Sequence, residues 1–141
     1  MGSIVEPERR RISILAVEDD KATREFLEVI INRKFPDVQI YFAENGNRGI
    51  ELFKACTPEI VITDIIMPEM DGDEMSSTIK TIKSDIKLIV VTGYDSSSYH
   101  EKFNKIGVNA FITKPIEMAK LCAAVARCVD EIKIKRQECE Q

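Results

Sequence analysis

The stretch Ile60-Val61-Ile62-Thr63-Asp64-Ile65-Ile66-Met67-Pro68-Glu69-Met70-Asp71-Gly72 decides how the rest of the chain is read. Its first four residues are all β-branched, the side chains that fit a pleated strand best. The run is continuously apolar up to Thr63, which suits a parallel strand covered on both faces rather than one facing water. Asp64 closes it. Pro68 and Asp71-Gly72 then interrupt the backbone, the second as a turn in which glycine permits unusual dihedrals. One strand, an acid at its end, a loop and a following helix are therefore expected.

The same unit recurs in both directions. Strands are expected at Ile12–Val17, Val38–Ala43, Ile60–Thr63, Leu88–Val91 and Val108–Ile112, the mixed second one at a sheet edge. Helical spacing fills the gaps. Phe26, Leu27, Ile30 and Ile31 share a face of the first helix, which Asp20 caps and Pro36 ends. Ser98-x-x-Glu101 has the capping-box pattern for the fourth. Met118, Leu121, Cys122, Val125, Cys128, Val129 and Ile132 give the last helix its apolar stripe, starting near Glu117. Five β-α units in series specify an α/β fold, and right-handed crossovers leave few topologies. The expected one is the flavodoxin-like (βα)5 fold, a doubly wound five-stranded parallel sheet in the order 2-1-3-4-5.

Length and charge bound the rest. The 141 residues suit one domain, expected over residues 11–130, with a disordered segment at 1–10 and a helical extension or start of a linker at 131–141. A net charge of −4 argues against direct nucleic-acid binding. No apolar run reaches the ~20 residues of a membrane span, and residues 1–11 lack a signal-peptide core. Glu6 stands where a myristoylation start needs Ser or Thr. The four cysteines form no Cys-x-x-Cys and only one histidine is present, so zinc is not expected. Cys122 and Cys128 read as small core residues in a reducing, cytoplasmic setting.

Ligand sites in such sheets lie beyond the carboxyl ends of the strands. Those ends carry Glu18, Asp19 and Asp20 after strand one, and Asp64 after strand three. Thr92-Gly93 follows strand four and Thr113-Lys114-Pro115 strand five. Several carboxylates, a hydroxyl and an ammonium thus converge. Crowded carboxylates repel unless a cation intervenes, and a donor set of hard oxygens selects Mg2+ or a similar ion. Lys114 supplies a positive charge for a phosphoryl group, and a carboxylate can serve as its acceptor.

Val-Glu-Asp-Asp (residues 17–20), Asp-Ile-Ile-Met-Pro-Glu-Met-Asp-Gly (64–72), Val-Thr-Gly (91–93) and Thr-Lys-Pro (113–115) together resemble the receiver domains of two-component response regulators. The resemblance spans roughly Arg11 to Asp130. It implies that Asp64 is the phosphoacceptor, and that Asp19 binds Mg2+ directly, with Glu18 acting mainly through water. Asp64 and the backbone carbonyl of Ile66 would complete the ligands. Thr92 would hydrogen-bond the phosphoryl group, Lys114 would pair with it, and Phe111 matches the switch aromatic. The Lys114-Pro115 bond matches one usually cis in the family. Ile66 and Tyr94 stand at positions that tune reaction rates. The implied partners are a sensor histidine kinase or phosphotransfer protein upstream, and an effector or attached output domain downstream. The output would be read from the surface of the fourth helix, fifth strand and fifth helix. Such a domain is not an enzyme beyond its own phosphoryl transfer and autodephosphorylation.

Other readings compete at single residues. Asp20 reads first as a helix cap, although a register pairing Asp19 with Asp20 is the rival to Glu18 with Asp19. His100 reads as an exposed residue. A flavodoxin-type carrier would need Ser, Thr and Gly where Glu18-Asp19-Asp20 stands. A haloacid-dehalogenase-type phosphatase would need Asp-x-Asp after the first strand. A divergent pseudo-receiver, acting as a phosphorylation-independent interaction module, is the alternative that keeps the fold.

Overall fold

The computed structural model describes residues 11–67, 69–93 and 97–140. Expectations for residues 1–10, Pro68, Tyr94 and Gln141, and for the side chain of His100, lie outside the described residues. Among the described residues, ten elements alternate. They are β1 (Ser13–Val17), α1 (Lys21–Lys34), β2 (Gln39–Ala43), α2 (Gly46–Cys56), β3 (Ile60–Asp64), α3 (Gly72–Ile82), β4 (Lys87–Thr92), α4 (Ser97–Ile106), β5 (Ala110–Thr113) and α5 (Met118–Glu140). All strand pairs are parallel and the order is β2-β1-β3-β4-β5, the flavodoxin-like arrangement. The less apolar β2 lies at an edge, half-buried along most of its length.

The period-2 alternation of each strand divides the core into two layers. Ile14, Ala16, Ile62, Ile89, Val91 and Ile112 point to the face covered by Leu27, Ile30 and Ile31 of α1 and Leu121, Val125 and Cys128 of α5. Leu15, Val17, Val61, Leu88 and Val90 point the other way, onto Phe53 of α2, Met75 and Ile79 of α3, and Phe103 of α4. Both faces of β1, β3 and β4 are thus dry, which is why these strands carry no polar alternation.

Asp20 caps α1 as expected, its carboxylate accepting from the Thr23 N–H at 2.9 Å, and α1 ends before Pro36. Three local expectations are corrected. Phe26 does not join Leu27, Ile30 and Ile31 but is 42% exposed, and Met118 likewise lies outside the packed stripe of α5. Both sit at the margin of a stripe whose centre already fills the groove. Ser98 falls second in α4 rather than ahead of it. Gly72 is the first, buried residue of α3 and does not have positive φ. A Cβ there would overlap the backbone carbonyl of Asp64, so glycine serves close approach and not an unusual dihedral.

Three polar residues of the last helix, Glu131, Lys135 and Arg136, reach back to the body of the molecule. At the amino edge of the sheet, Glu59 Oε2 accepts from the Ser13 N–H at 2.8 Å and from its hydroxyl at 3.0 Å. Arg136 Nη2 donates to the other Glu59 oxygen at 2.8 Å. Lys87 pairs with Glu131 at 2.6 Å, and Lys135 with Asp85 at 3.5 Å. No helix among the described residues is long and apolar enough to cross a membrane.

Candidate functional site

The carboxyl edge of the sheet gathers residues that are far apart in the chain because each ends a strand or begins the loop after it. Glu18 follows β1, and its N–H donates to Ala43 at the end of β2 at 2.9 Å. The residue is only 3% exposed. Asp19 is next and open to solvent. Asp64 ends β3, partly buried, and its Oδ1 accepts from the Ile65 N–H at 2.8 Å. Carboxylate oxygens of Glu18, Asp19 and Asp64 all lie within 4.8 Å of one another. Asp20, the rival member, turns away to cap α1, where hydrogen bonds from Thr23 hold its carboxyl below the ordinary range.

Lys114 closes the cluster. Its ammonium donates to Asp64 Oδ2 at 2.7 Å and lies 3.2 Å from Glu18 Oε1. The Lys114–Pro115 bond is cis. Burial alone would lower the Lys114 pKa, but the bond to Asp64 and the charges of Asp64 and Glu18 outweigh it and raise the value. Glu18 moves the other way from an ordinary ion-paired acid. Burial, a hydrogen bond shared with Asp19 and the charge of Asp64 raise its pKa, against the opposing Asp20 N–H and Lys114. One ammonium therefore pairs with two of the three clustered carboxylates, and the site is left short of positive charge.

The β3–α3 loop is held close by its ends. The Gly72 N–H donates to Ile65 O at 2.6 Å, and Thr63 Oγ1 donates to Asp64 O at 2.8 Å. Both backbone groups of Ile65 are engaged, and the side chain of the following Ile66 is 51% exposed. Thr92 ends β4 with 5% exposure, and its carbonyl accepts from the Lys114 N–H at 2.8 Å. Phe111 of β5 lies one strand away, half-buried, edge-on to Phe103 of α4 with ring centroids 6.2 Å apart. Glu18, Asp19, Asp64, Thr92 and Lys114 thus meet at this edge, whereas Phe111 lies two residues back along β5, paired with Val90.

Sequence reading missed two participants. Arg24 Nη1 donates to the backbone carbonyl of Glu18 at 2.7 Å, six residues away. Asn47 Nδ2 donates to Glu69 at 3.2 Å, fastening the β3–α3 loop to the start of α2. Arg24 lies one helical turn after the Asp20 cap, a position that brings a long side chain back over the preceding turn. The Asn47 contact leaves no comparable signal.

The donor set suits a hard divalent cation. It contains only oxygens, two of the carboxylates are at least partly buried, and their charge exceeds that of Lys114.

Known proteins share both the sequence and the fold. The family model described as the response regulator receiver domain matches residues 14–126. The chemotaxis protein CheY of Halobacterium salinarum is 31% identical over 113 residues, covering 80% of this chain and 92% of that protein. The response regulator MprA of Mycolicibacterium vanbaalenii is 29% identical over 112 residues, 79% of this chain; the chain spans 48% of that relative's length. The solved N-terminal domain of an uncharacterized protein from Wolinella succinogenes superposes with a TM-score of 0.81 at 35% identity, covering 89% of this chain and 98% of that one. The chain belongs to the response regulator receiver domain family.

Proposed function

We propose that this receiver domain accepts a phosphoryl group on Asp64, with Mg2+ held by Glu18, Asp19, Asp64 and the Ile66 carbonyl. The observation that carries the reading is the Lys114 ammonium at 2.7 Å from Asp64, beside two further carboxylates. The donor is a phosphohistidine on a sensor kinase or phosphotransfer protein. An Asp64 oxygen attacks phosphorus in line as the phosphorus–nitrogen bond breaks, and the imidazole nitrogen keeps the electron pair and takes up a proton from solvent. The product is an acyl phosphate. Bound Mg2+ would neutralise charge shared between the carboxylates and the phosphoryl oxygens. Lys114 pairs with the transferred group, and Thr92 donates its hydroxyl to it. Positioning and charge compensation supply most of what phosphoryl transfer requires.

The phosphorylated site biases the surface of α4, β5 and α5, with Thr92 drawn towards the phosphoryl oxygens and Phe111 moving inward beside Phe103. Beyond its own phosphoryl transfer and autodephosphorylation the domain is a cytoplasmic signalling module and not an enzyme. Its output passes to an effector or an attached domain. Acetyl phosphate with Mg2+ tests the reading: the intact protein should gain the mass of one phosphoryl group, and Asp64→Ala should gain none. Full labelling of that variant would remove Asp64 from the mechanism.

A further inference from the structure

The chemistry above gives Arg24 no part. Its Nη1 donates to the Glu18 carbonyl at 2.7 Å, short for an N–H···O bond, as expected of a charged donor. The residue it holds is almost fully buried, so this carbonyl has little access to water and needs a protein partner. Glu18 is fixed at two further points, its N–H on Ala43 O and its Oε2 under the Asp20 N–H. The Arg24 N–H in turn donates to Asp20 O at 3.0 Å, and both Thr23 donors reach the Asp20 carboxylate. Residues 18–24 form a turn closed from both sides.

Lys114 and Arg24 approach the same acids differently. Lys114 occupies oxygens of Asp64 and Glu18. Among the described residues, Arg24 makes no ion pair with a carboxylate; it binds the main chain instead. It lends positive charge to the turn while leaving the Glu18 and Asp19 oxygens for a cation. We infer that Arg24 is a positioning residue for the divalent-cation site, fixing the backbone from which Glu18 and Asp19 project. The inference rests on the proposed Mg2+ reading of that site. A lysine would keep the charge but not the rigid planar fork.

Calorimetric Mg2+ titration of the intact protein tests it, alongside melting curves in EDTA. The proteins are wild type, R24Q, R24K and, as a control at the opposite edge, E59Q. Partners that orient metal ligands typically change affinity by about tenfold or more when removed. R24Q should therefore bind Mg2+ roughly tenfold more weakly, and R24K about threefold, the loss expected when charge remains without the fork. E59Q should melt earlier with an unchanged Mg2+ affinity, which separates general destabilisation from loss of positioning. R24Q within twofold of wild type would overturn the inference, as would R24K at wild-type affinity; R24K decides alone if R24Q does not fold. A wild type that binds no Mg2+ would instead remove the metal from the proposed function and the inference with it.

Discussion

At the amino edge of the sheet, Glu59 meets donors that match it: the Ser13 N–H and hydroxyl on one oxygen and Arg136 on the other. Glu131 and Asp85 each have a lysine beside them. At the carboxyl edge, three carboxylates cluster around a single lysine, Lys114, which pairs with Glu18 and Asp64, and Glu18 is buried with a raised pKa. The same residue types are present at both ends of the same strands. Matched pairs hold the chain together, whereas a deficit of positive charge is a standing demand for a ligand that brings some.

The contrast is open to direct attack. The largest effect should be a crossover between edges: Asp64→Ala loses all phosphoryl labelling, while Glu59→Gln keeps labelling and loses stability. The Glu59 cost should be about 2 kcal/mol, the scale of a partly buried hydrogen bond to a charged group, or several degrees in melting temperature. Equal labelling loss in both variants would erase the distinction. Next comes magnesium itself. At about ten times its dissociation constant, Mg2+ should stabilise the wild type by ~1.4 kcal/mol, and Asp19→Asn by less, since one ligand charge is gone. Equal shifts in melting temperature would mean that the carboxylates do not form one cation site.

The smallest effects concern the metal-free site. Asp19→Asn should stabilise the protein in EDTA by less than about 1 kcal/mol, because Asp19 is exposed and Lys114 already offsets part of the repulsion. Glu18 gives a pH signature. Its folded-state pKa is raised above the ordinary glutamate value of 4.5, chiefly by burial. The folded state therefore holds that proton more tightly than the unfolded chain does. The resulting stabilisation is full below the unfolded value and declines as pH rises through the folded one. In EDTA, the melting temperature of Glu18→Gln minus that of wild type should climb across this window and then level off. A constant difference would mean that Glu18 ionises equally easily in both states.

Much of this was legible beforehand, and the reason lies in the strands. Their unbroken apolar runs announce burial on both faces, parallel topology follows, and topology alone decides which strand ends meet. Glu18, Asp64 and Lys114 could therefore be brought together without any knowledge of distance. The amino edge offered no such help. Glu59 and Arg136 are 77 residues apart, and no period links an acid before β3 to a base near the end of α5. A polar tail reads as a frayed end or linker, because sequence pattern reports apolar faces and is silent on ion pairs. Gly72 was noticed for the wrong property: its missing Cβ makes room for Asp64, a fact about a neighbour that local turn chemistry does not encode. Arg24 was passed over because a solvated helix arginine and one bonded to a buried carbonyl look alike in a string of letters.

Helix α5 runs unbroken for 23 residues, starting just beyond Lys114–Pro115 and reaching the Glu59 corner. At 1.5 Å per residue that is a rod of about 34 Å, tied by ion pairs to the amino edge of the sheet. A tilt of about 5° about its first residue sweeps the far end through roughly 3 Å. Glu131 and Arg136 lie part-way along the rod, so the same tilt moves them by roughly 1.7 and 2.4 Å, enough to strain contacts of 2.6 and 2.8 Å. The amino edge of the sheet is therefore the place where a change in the tilt of α5 would be felt as strain in its ion pairs.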